Sequence, residues 1–364
     1  MKRSLFILCS ALLLTACAET SETVAQSESA PEITTNDPFT ETTQTDDYDP
    51  FAVNEETEED DVDGAWGAGV EWEPGKELVL DYAPTVTFPY YIENSAKRND
   101  FGLLIFVNGF RQPYRTDTEP DDRVMHTFVV DRDETIHPKI SFEPIVGNLG
   151  ETLSVEIIGM FSPSFTLTDQ TTHLALNFHH RIGGPFPSEL TVTQETNLTA
   201  PAVCSEYTEV PITEELRKQY QSSGENMLDK ADGIILEALK NDGLITPADR
   251  LKAVAQGGIA KTVFSGDDNI TLCMLGGGKP CKYRVSMYLN HELVHGVFDG
   301  RDYIDMTPSA ETMCKKEIDM SRLDLSTDEF SHFYFIAIPF YENQNDSERE
   351  PLKSESAAIS SAEQ

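Results

Sequence analysis

The stretch His291-Glu292-Leu293-Val294-His295 has the residue types and the spacing of a zinc-dependent hydrolytic site. Histidines four positions apart lie on one face of an α-helix, where their imidazoles could hold a single zinc ion. The glutamate between them would polarise the zinc-bound water as a general base. This chemistry requires a helix, because a turn or a strand would point the two imidazoles in different directions.

The stretch resembles the H-E-x-x-H signature of zinc metallopeptidases, which implies His291 and His295 as ligands and Glu292 as the base. Residues 283–290, however, alternate in the period of a strand. The metzincin positions for a third ligand hold a phenylalanine and an arginine. We therefore predict a hairpin turn at Asn290-His291, with Glu292 exposed and His295 on the return strand. A surface zinc metallopeptidase using residues 291–295 is the alternative.

Two other polar clusters have ligand chemistry. His179-His180, with His173 on the same stretch, could bind a transition metal, although such histidines are commonly solvated strand or loop residues. Asn241 to Ile245 with Asp249 resembles the second half of an EF-hand or dockerin calcium loop, but the preceding positions hold alanine and lysine, which cannot coordinate a cation. We predict no metal or cofactor here, and we interpret Asn241-Asp242-Gly243 as a turn that ends a helix.

Four cysteines beyond the first twenty residues are candidates for disulfide bonds. In an exported chain, a bridge from Cys273 to Cys281 could span the glycine loop 276–278 and leave Cys204 with Cys314. Buried thiols are the alternative.

The first residues have the pattern of an export signal. Lys2 and Arg3 precede an apolar run from Leu5 to Leu14. The sequence Leu14-Thr15-Ala16-Cys17 resembles the lipobox of bacterial lipoproteins. The resemblance implies that residues 1–16 are a signal peptide and that the Cys17 thiol carries a diacylglyceryl group, with palmitate-type chains anchoring the protein in the membrane. The expected location is the extracytoplasmic face of a bacterial cell membrane.

Residues 17–64 are rich in Ser, Thr, Asp and Glu, so we predict a disordered acidic tether. The polar tail, residues 346–364, is expected to be disordered too. The chain carries 63 acidic and 27 basic residues, a net charge of -36. This charge excludes nucleic acid as a partner, because binding to phosphates requires clustered Lys and Arg.

From Ala65 onward, short alternating runs broken by Gly, Pro, Asn and Asp predict an all-β fold. The second half repeats the order of the first: Leu104 to Gly109 corresponds to Ser286 to His291, for example. This repetition predicts two tandem, related β-sandwich (immunoglobulin-like) domains, residues 65–197 and 198–345.

Residues 212–255 form the one helical-looking region, a part-helical insertion between the sandwiches. Thr213 could cap a helix over Leu216 to Tyr220, and residues 227–239 and 248–255 are further helix candidates.

In its general sequence pattern, the chain from Ala65 onward resembles surface lipoproteins of low-GC Gram-positive gut bacteria. Apart from residues 291–295 the sequence has no recognisable catalytic set. The expected function is therefore binding or scaffolding at the envelope, without catalysis, for a glycan, peptide or protein ligand.

Overall fold

The structure is a computed structural model. It describes residues 65–71, 79–166, 180–219, 221–222, 225–226, 233–240, 243–245, 263–265, 269–276, 280–323, 331–340, 350–354 and 356–360. Cys17, the predicted signal peptide and the predicted tether lie outside these residues. Among the described residues no helix is long and apolar enough to cross a membrane.

The described strands of the first half are β1 (Trp66–Val70), β2 (Val79–Leu80), β3 (Val86–Asn94), β4 (Asp100–Val107), β5 (Phe110–Arg111), β6 (Arg115–Thr116), β7 (Met125–Val129), β8 (Glu134–Ile136), β9 (Lys139–Phe142), β10 (Thr152–Phe161) and β11 (Ile182–Thr191). A first outer sheet has the order β1-β3-β9-β6, with β8 also paired to β3. A first inner sheet has the order β2-β11-β10-β4-β5, with β7 also paired to β4.

The described elements of the second half are β12 (Val203–Cys204), β13 (Thr208–Pro211), helix α1 (Glu214–Gln219), β14 (Gln221–Ser222), β15 (Glu225–Asn226), β16 (Gly233–Lys240), β17 (Gly243–Ile245), β18 (Val263–Ser265), β19 (Asn269–Leu275), β20 (Tyr283–Leu289), β21 (Glu292–Leu293), β22 (Tyr303–Met306), β23 (Thr312–Asp319), a 3₁₀ turn (Met320–Arg322), β24 (Ser331–Pro339), β25 (Leu352–Lys353) and β26 (Ala357–Ser360). A second inner sheet has the order β12-β22-β20-β24-β26-β18, joined by β21 and β25. The tail expected to be disordered supplies β25 and β26, which both pair with β24, so that prediction and the end of the second sandwich at residue 345 are wrong. A second outer sheet has the order β13-β23-β19-β16-β17, and β14 pairs with β15.

Each half is a β-sandwich with its own apolar core between an outer and an inner sheet. A third core joins the two inner sheets, so the four sheets form four layers. Strand β4 illustrates the arrangement: Leu103 and Ile105 face the first sandwich core, whereas Leu104 and Phe106 face the third. Such a strand is buried on both faces, which explains its continuous apolar sequence. The predicted fold class, all-β with two related sandwiches, is confirmed.

The two sandwiches share strand registers. Phe101 lies opposite Phe128 as Tyr283 lies opposite Met306, and Val107 lies opposite Val155 as Leu289 lies opposite Phe333. Strands β4, β7 and β10 therefore correspond to β20, β22 and β24. The correspondence extends to the hairpin turns, because residues 108–109 and 290–291 each form a two-residue loop.

The part-helical region is partly as predicted. Helix α1 covers most of the expected helix, and the Thr213 hydroxyl caps it by accepting a hydrogen bond from Leu216 N at 3.2 Å. The helix expected over residues 227–239 is wrong for its described part, since Gly233–Lys240 is strand β16 and pairs with β19. An apolar run of this length suits a helix or a buried strand equally well, and pairing decides between them. Residues 248–255 lie outside the described residues.

Candidate metal centre between the two sandwiches

The six described histidines divide into two groups. His126, His137 and His295 each have Nδ1 beside a carboxylate, supplied by Glu119, Glu71 and Asp302 respectively. His180, His291 and His332 instead lie against one another. Their ring centroids are 4.5 to 4.8 Å apart, and one ligand nitrogen from each lies within 4.8 Å of the others. We call these three residues the histidine cluster.

The hairpin turn between β20 and β21 positions His291. Both turn residues have positive φ, 48° at Asn290 and 70° at His291. The Asn290 side chain fixes the turn by accepting a hydrogen bond from His332 N at 3.0 Å, while Asn290 N donates to His332 O at 2.9 Å. These bonds also place His332 directly beside the turn.

The second residue of β24 is His332. Alternate residues of this strand face opposite cores, so His332 lies on the same side as Tyr334, which belongs to the core between the inner sheets. The two rings are nearly parallel, with centroids 6.3 Å apart. Tyr334 in turn stacks on Tyr288 at 5.3 Å, which fixes the position of its hydroxyl.

The first sandwich contributes His180 and a turn that follows β10. This turn is held by Ser164, whose backbone N and hydroxyl both donate to the Asp100 carboxylate, and by Phe165 N donating to Ser162 O. It presents two backbone carbonyls to the cluster. His180 Nε2 lies 3.1 Å from Phe165 O, and His291 Nε2 lies 2.9 Å from Pro163 O.

These carbonyls determine the tautomers. A carbonyl oxygen only accepts, so Nε2 of both His180 and His291 carries the hydrogen and Nδ1 keeps the lone pair. The Tyr334 hydroxyl, 2.9 Å away, donates to the Nδ1 atom of His291. Within the described part of the chain, His180 Nδ1 and His332 Nε2 are buried without any hydrogen-bond partner. Such orphaned polar atoms are costly, about 1 to 3 kcal/mol each.

The three imidazoles are neutral. Burial lowers the pKa of His180 to about 2, and the neighbouring His332 and His291 act in the same direction. Burial likewise lowers the pKa of His332 to about 3 and that of His291 to about 4. Neutral imidazole is the form that binds metals, so these nitrogens need not lose a proton first.

Other charged groups near the cluster are mainly cationic. Lys353 lowers the pKa of all three histidines, and its Nζ lies 4.6 Å from the centre of the Tyr334 ring. Arg111 also lowers the pKa of His291; its buried guanidinium lies over the rings of Phe106 and Tyr288. Glu292 acts electrostatically on Tyr334, but it is exposed.

The cluster fits the requirements of a transition-metal site. Ligating histidines commonly donate their second ring nitrogen to a backbone carbonyl, as His180 and His291 do here. Two nitrogens bound to one ion at 2.0–2.1 Å lie at most about 4.2 Å apart. Because the present separations reach up to 4.8 Å, the rings would close by roughly half an ångström on binding.

The zinc-peptidase geometry expected as an alternative is not formed. Residues 283–295 are a strand, a turn and a short return strand, so the two histidines of the stretch face different partners. The expected turn at Asn290-His291 and the exposure of Glu292 are confirmed. The expected place of His295 is wrong: β21 ends at Leu293, and His295 follows it in a turn, 79% exposed and 2.8 Å from Asp302.

The remaining predicted sites are not assembled by the described residues. Gly243 begins strand β17 opposite Lys240, so the interpretation of Gly243 as a helix end is wrong, while Asp242 and Asp249 of the calcium-like stretch lie outside the described residues. His173 and His179 lie outside them too.

All four candidate disulfide cysteines are buried thiols. The bridge considered between Cys273 and Cys281 is wrong because the first packs on the outer face of the second outer sheet and the second packs in the sandwich core. The other pairing is wrong as well: Cys204 Sγ lies 3.8 Å from Asp299, whereas Cys314 bonds with Thr307 and Tyr207.

Sequence reasoning singled out His180 and His291 in separate motifs and missed His332. One signal could have revealed it. The repeat places Asn290 where Asn108 stands, and Asn108 bonds the backbone of Ser154 on the paired strand. The residue equivalent to Ser154 is His332, which the repeat therefore places beside His291.

Comparison with known proteins gives no family. No family model matches the chain, and no curated protein matches it. Among solved structures, the CsuC-CsuE chaperone-tip adhesion subunit complex of Acinetobacter baumannii is 12% identical over 82% of this chain and 100% of its own, with a TM-score of 0.19. A protein of unknown function from Porphyromonas gingivalis W83 is 9% identical over 81% and 99%, also at 0.19. SSP-19 of Caenorhabditis elegans is 13% identical over 32% and 94%, at 0.20. Scores this low carry no argument about function.

Proposed function

We propose that the chain is a lipid-anchored protein of the extracytoplasmic face of a bacterial membrane and that it binds one transition-metal ion between its two sandwiches. The lipid on Cys17 would be the anchor, and residues 17–64 would be the tether. The metal ion takes the place of the glycan, peptide or protein ligand considered from the sequence. The ligand atoms are Nδ1 of His180, Nδ1 of His291 and Nε2 of His332.

One observation carries the metal site. Two imidazoles, those of His180 and His332, each have a buried nitrogen without a hydrogen-bond partner among the described residues, and a ring nitrogen of each lies within 4.8 Å of one from His291, whose tautomer a backbone carbonyl fixes. A metal ion would satisfy the two unpartnered lone pairs and would replace the Tyr334 hydroxyl at Nδ1 of His291, whereas an apolar core would leave the two nitrogens unpartnered.

The site supports binding in preference to hydrolysis. Glu292, the base of the peptidase alternative, is exposed, and His295 is engaged by Asp302. The net charge of -36 also favours a cationic ligand, because an acidic protein raises the local concentration of cations.

The metal content of the purified full chain in detergent tests the site. We expect one equivalent of bound transition metal after incubation with a mixture of zinc, copper, nickel and cobalt salts and removal of the free ions. His332→Phe should lose that equivalent, because phenylalanine keeps the ring volume but has no ligand atom. His295→Ala is the matched control and should keep it. A wild-type protein without bound metal, or a His332→Phe protein with an unchanged content, contradicts the proposal.

The anchor has a separate test. Cys17→Ala should abolish labelling by radioactive palmitate and yield either released protein or an uncut precursor. Unchanged labelling of this variant would show that Cys17 does not carry the lipid.

A further inference from the structure

We infer that the ion held by the histidine cluster is monovalent copper. This inference rests on the proposed metal site and specifies its ligand. Three properties of the site carry it: the charge of its surroundings, the number of its ligands and the softness of its neighbours.

Charge comes first. The three ligands are neutral, and the described residues place no carboxylate within the cluster. The charged groups that shift the pKa of the cluster histidines are the cations Lys353 and Arg111; the exposed Glu292 acts on Tyr334, and the buried carboxylate of Glu156 on β10 is not among the groups that shift the three histidines. A divalent ion would bring two positive charges into this buried site without an anionic ligand to offset them, and charge burial of that kind is expensive. A monovalent ion halves the added charge.

Coordination number comes second. Zinc sites with three histidine ligands keep an open fourth position that water fills, whereas His180, His332 and Tyr334 are buried. The nearest described hydroxyl belongs to Tyr334, and burial raises its pKa, which keeps the phenol protonated and makes it a weak ligand. Monovalent copper is satisfied by three imidazole nitrogens in a plane, so it needs no ligand beyond the cluster once the Tyr334 hydroxyl releases Nδ1 of His291.

Softness comes third. The thioether of Met160 is fully buried at the same junction, with Sδ 4.0 Å from the Tyr334 hydroxyl. Thioether sulfur favours copper in its reduced state and imidazole suits both copper and zinc, whereas hard ions prefer carboxylate and water.

The test is an anaerobic competition on the full chain in detergent. Bicinchoninate competes for Cu(I), and a chromogenic zinc chelator competes for Zn(II) in a parallel titration. We expect the site to hold Cu(I) on the order of 100-fold more tightly than Zn(II). Cysteine thiols also bind Cu(I), so the quantity measured is the difference between wild type and His332→Phe, which has every thiol of the wild type. That difference should be one equivalent.

A second variant probes the phenol. In Tyr334→Phe the hydroxyl no longer occupies Nδ1 of His291, so the affinity for Cu(I) should rise, roughly fivefold for one lost hydrogen bond. A fall in affinity would identify the tyrosine as a ligand and overturn the inference. Tighter binding of Zn(II) than of Cu(I) would overturn the inference and leave the proposed function standing. Binding of neither ion would overturn both.

Discussion

Two turns occupy equivalent places in the two sandwiches and differ in one residue. Asn108-Gly109 has φ values of 49° and 73°, and Asn290-His291 has values of 48° and 70°. In both, the asparagine side chain accepts a hydrogen bond from the backbone of the paired strand. Glycine adopts this left-handed conformation without a steric penalty, whereas a histidine there reduces the free energy of unfolding by about 1 kcal/mol.

The difference indicates that the turn at Gly109 has a structural role, whereas the turn at His291 contributes to the histidine cluster. The turn at Gly109 is packed tightly: Arg284 lies against it, donates from Nη1 to Asn108 O at 2.8 Å and is held by the Asp305 carboxylate through two hydrogen bonds. At the other turn, the His291 imidazole instead donates a hydrogen bond from Nε2 to Pro163 O of the first sandwich. Backbone strain that is kept at one of two equivalent positions indicates a functional site.

The largest effect of a single substitution is expected at the glycine turn. A Cβ atom at Gly109 would lie 2.9 Å from Cβ of Arg284, so Gly109→Ala should reduce the free energy of unfolding by about 3 kcal/mol through strain and overpacking. Gly150→Ala is the matched control, because Gly150 has a φ of 84° and no atom within 4 Å of its added Cβ. Gly150→Ala should reduce the free energy of unfolding by only about 1 kcal/mol. Urea denaturation measures both; equal losses would show that Arg284 does not constrain the turn.

Acid should destabilise the metal-free protein through the histidine cluster. The folded-state pKa values, about 2 to 4, lie below the unfolded value of about 6.5. The stability that depends on neutral histidines is therefore fully present above about pH 6.5 and is lost as the pH falls from there through the folded-state values of about 4 to 2, because the unfolded chain binds more protons over that range. Each histidine contributes at most about 1.4 kcal/mol per pH unit.

The free energy of unfolding, measured from pH 7 to pH 4 with a chelator present, checks this expectation. His332→Phe should flatten the profile, whereas His295→Ala, which alters an exposed side chain, should leave it unchanged. A profile that is the same in all three proteins would exclude the cluster as its cause.

A smaller effect is expected when the second turn is converted into the first. His291→Gly loses two hydrogen bonds but relieves the strain, so its stability should stay within about 1 kcal/mol of wild type. His291→Ala loses the same bonds and keeps the strain, and should be about 1 kcal/mol less stable than the glycine variant. Chemical denaturation of the pair measures this difference. Two variants of equal stability would mean that the turn is unstrained.

Local patterns were enough to predict the all-β class and the turn at Asn290-His291. Alternation in residues 283–290 and the repeat identified strand β20 and the turn at Asn290-His291, whereas the inner-sheet strands β11, β22 and β26 were not predicted. The histidine cluster could not be predicted from the sequence, because its members come from positions 180, 291 and 332 and meet only when the inner sheets pack together. The wrong helix at β16 has a related cause, since long-range pairing to β19 overrides the local pattern.

The most direct test of the central claim is X-ray absorption spectroscopy of the metal-loaded full chain. We expect three nitrogen ligands at about 2.0 Å, with the multiple scattering typical of imidazole rings. His291→Gly, which should remain folded, is expected to lose this signal entirely. A spectrum dominated by oxygen or sulfur ligands, or one that His291→Gly leaves unchanged, would contradict a metal centre built from His180, His291 and His332.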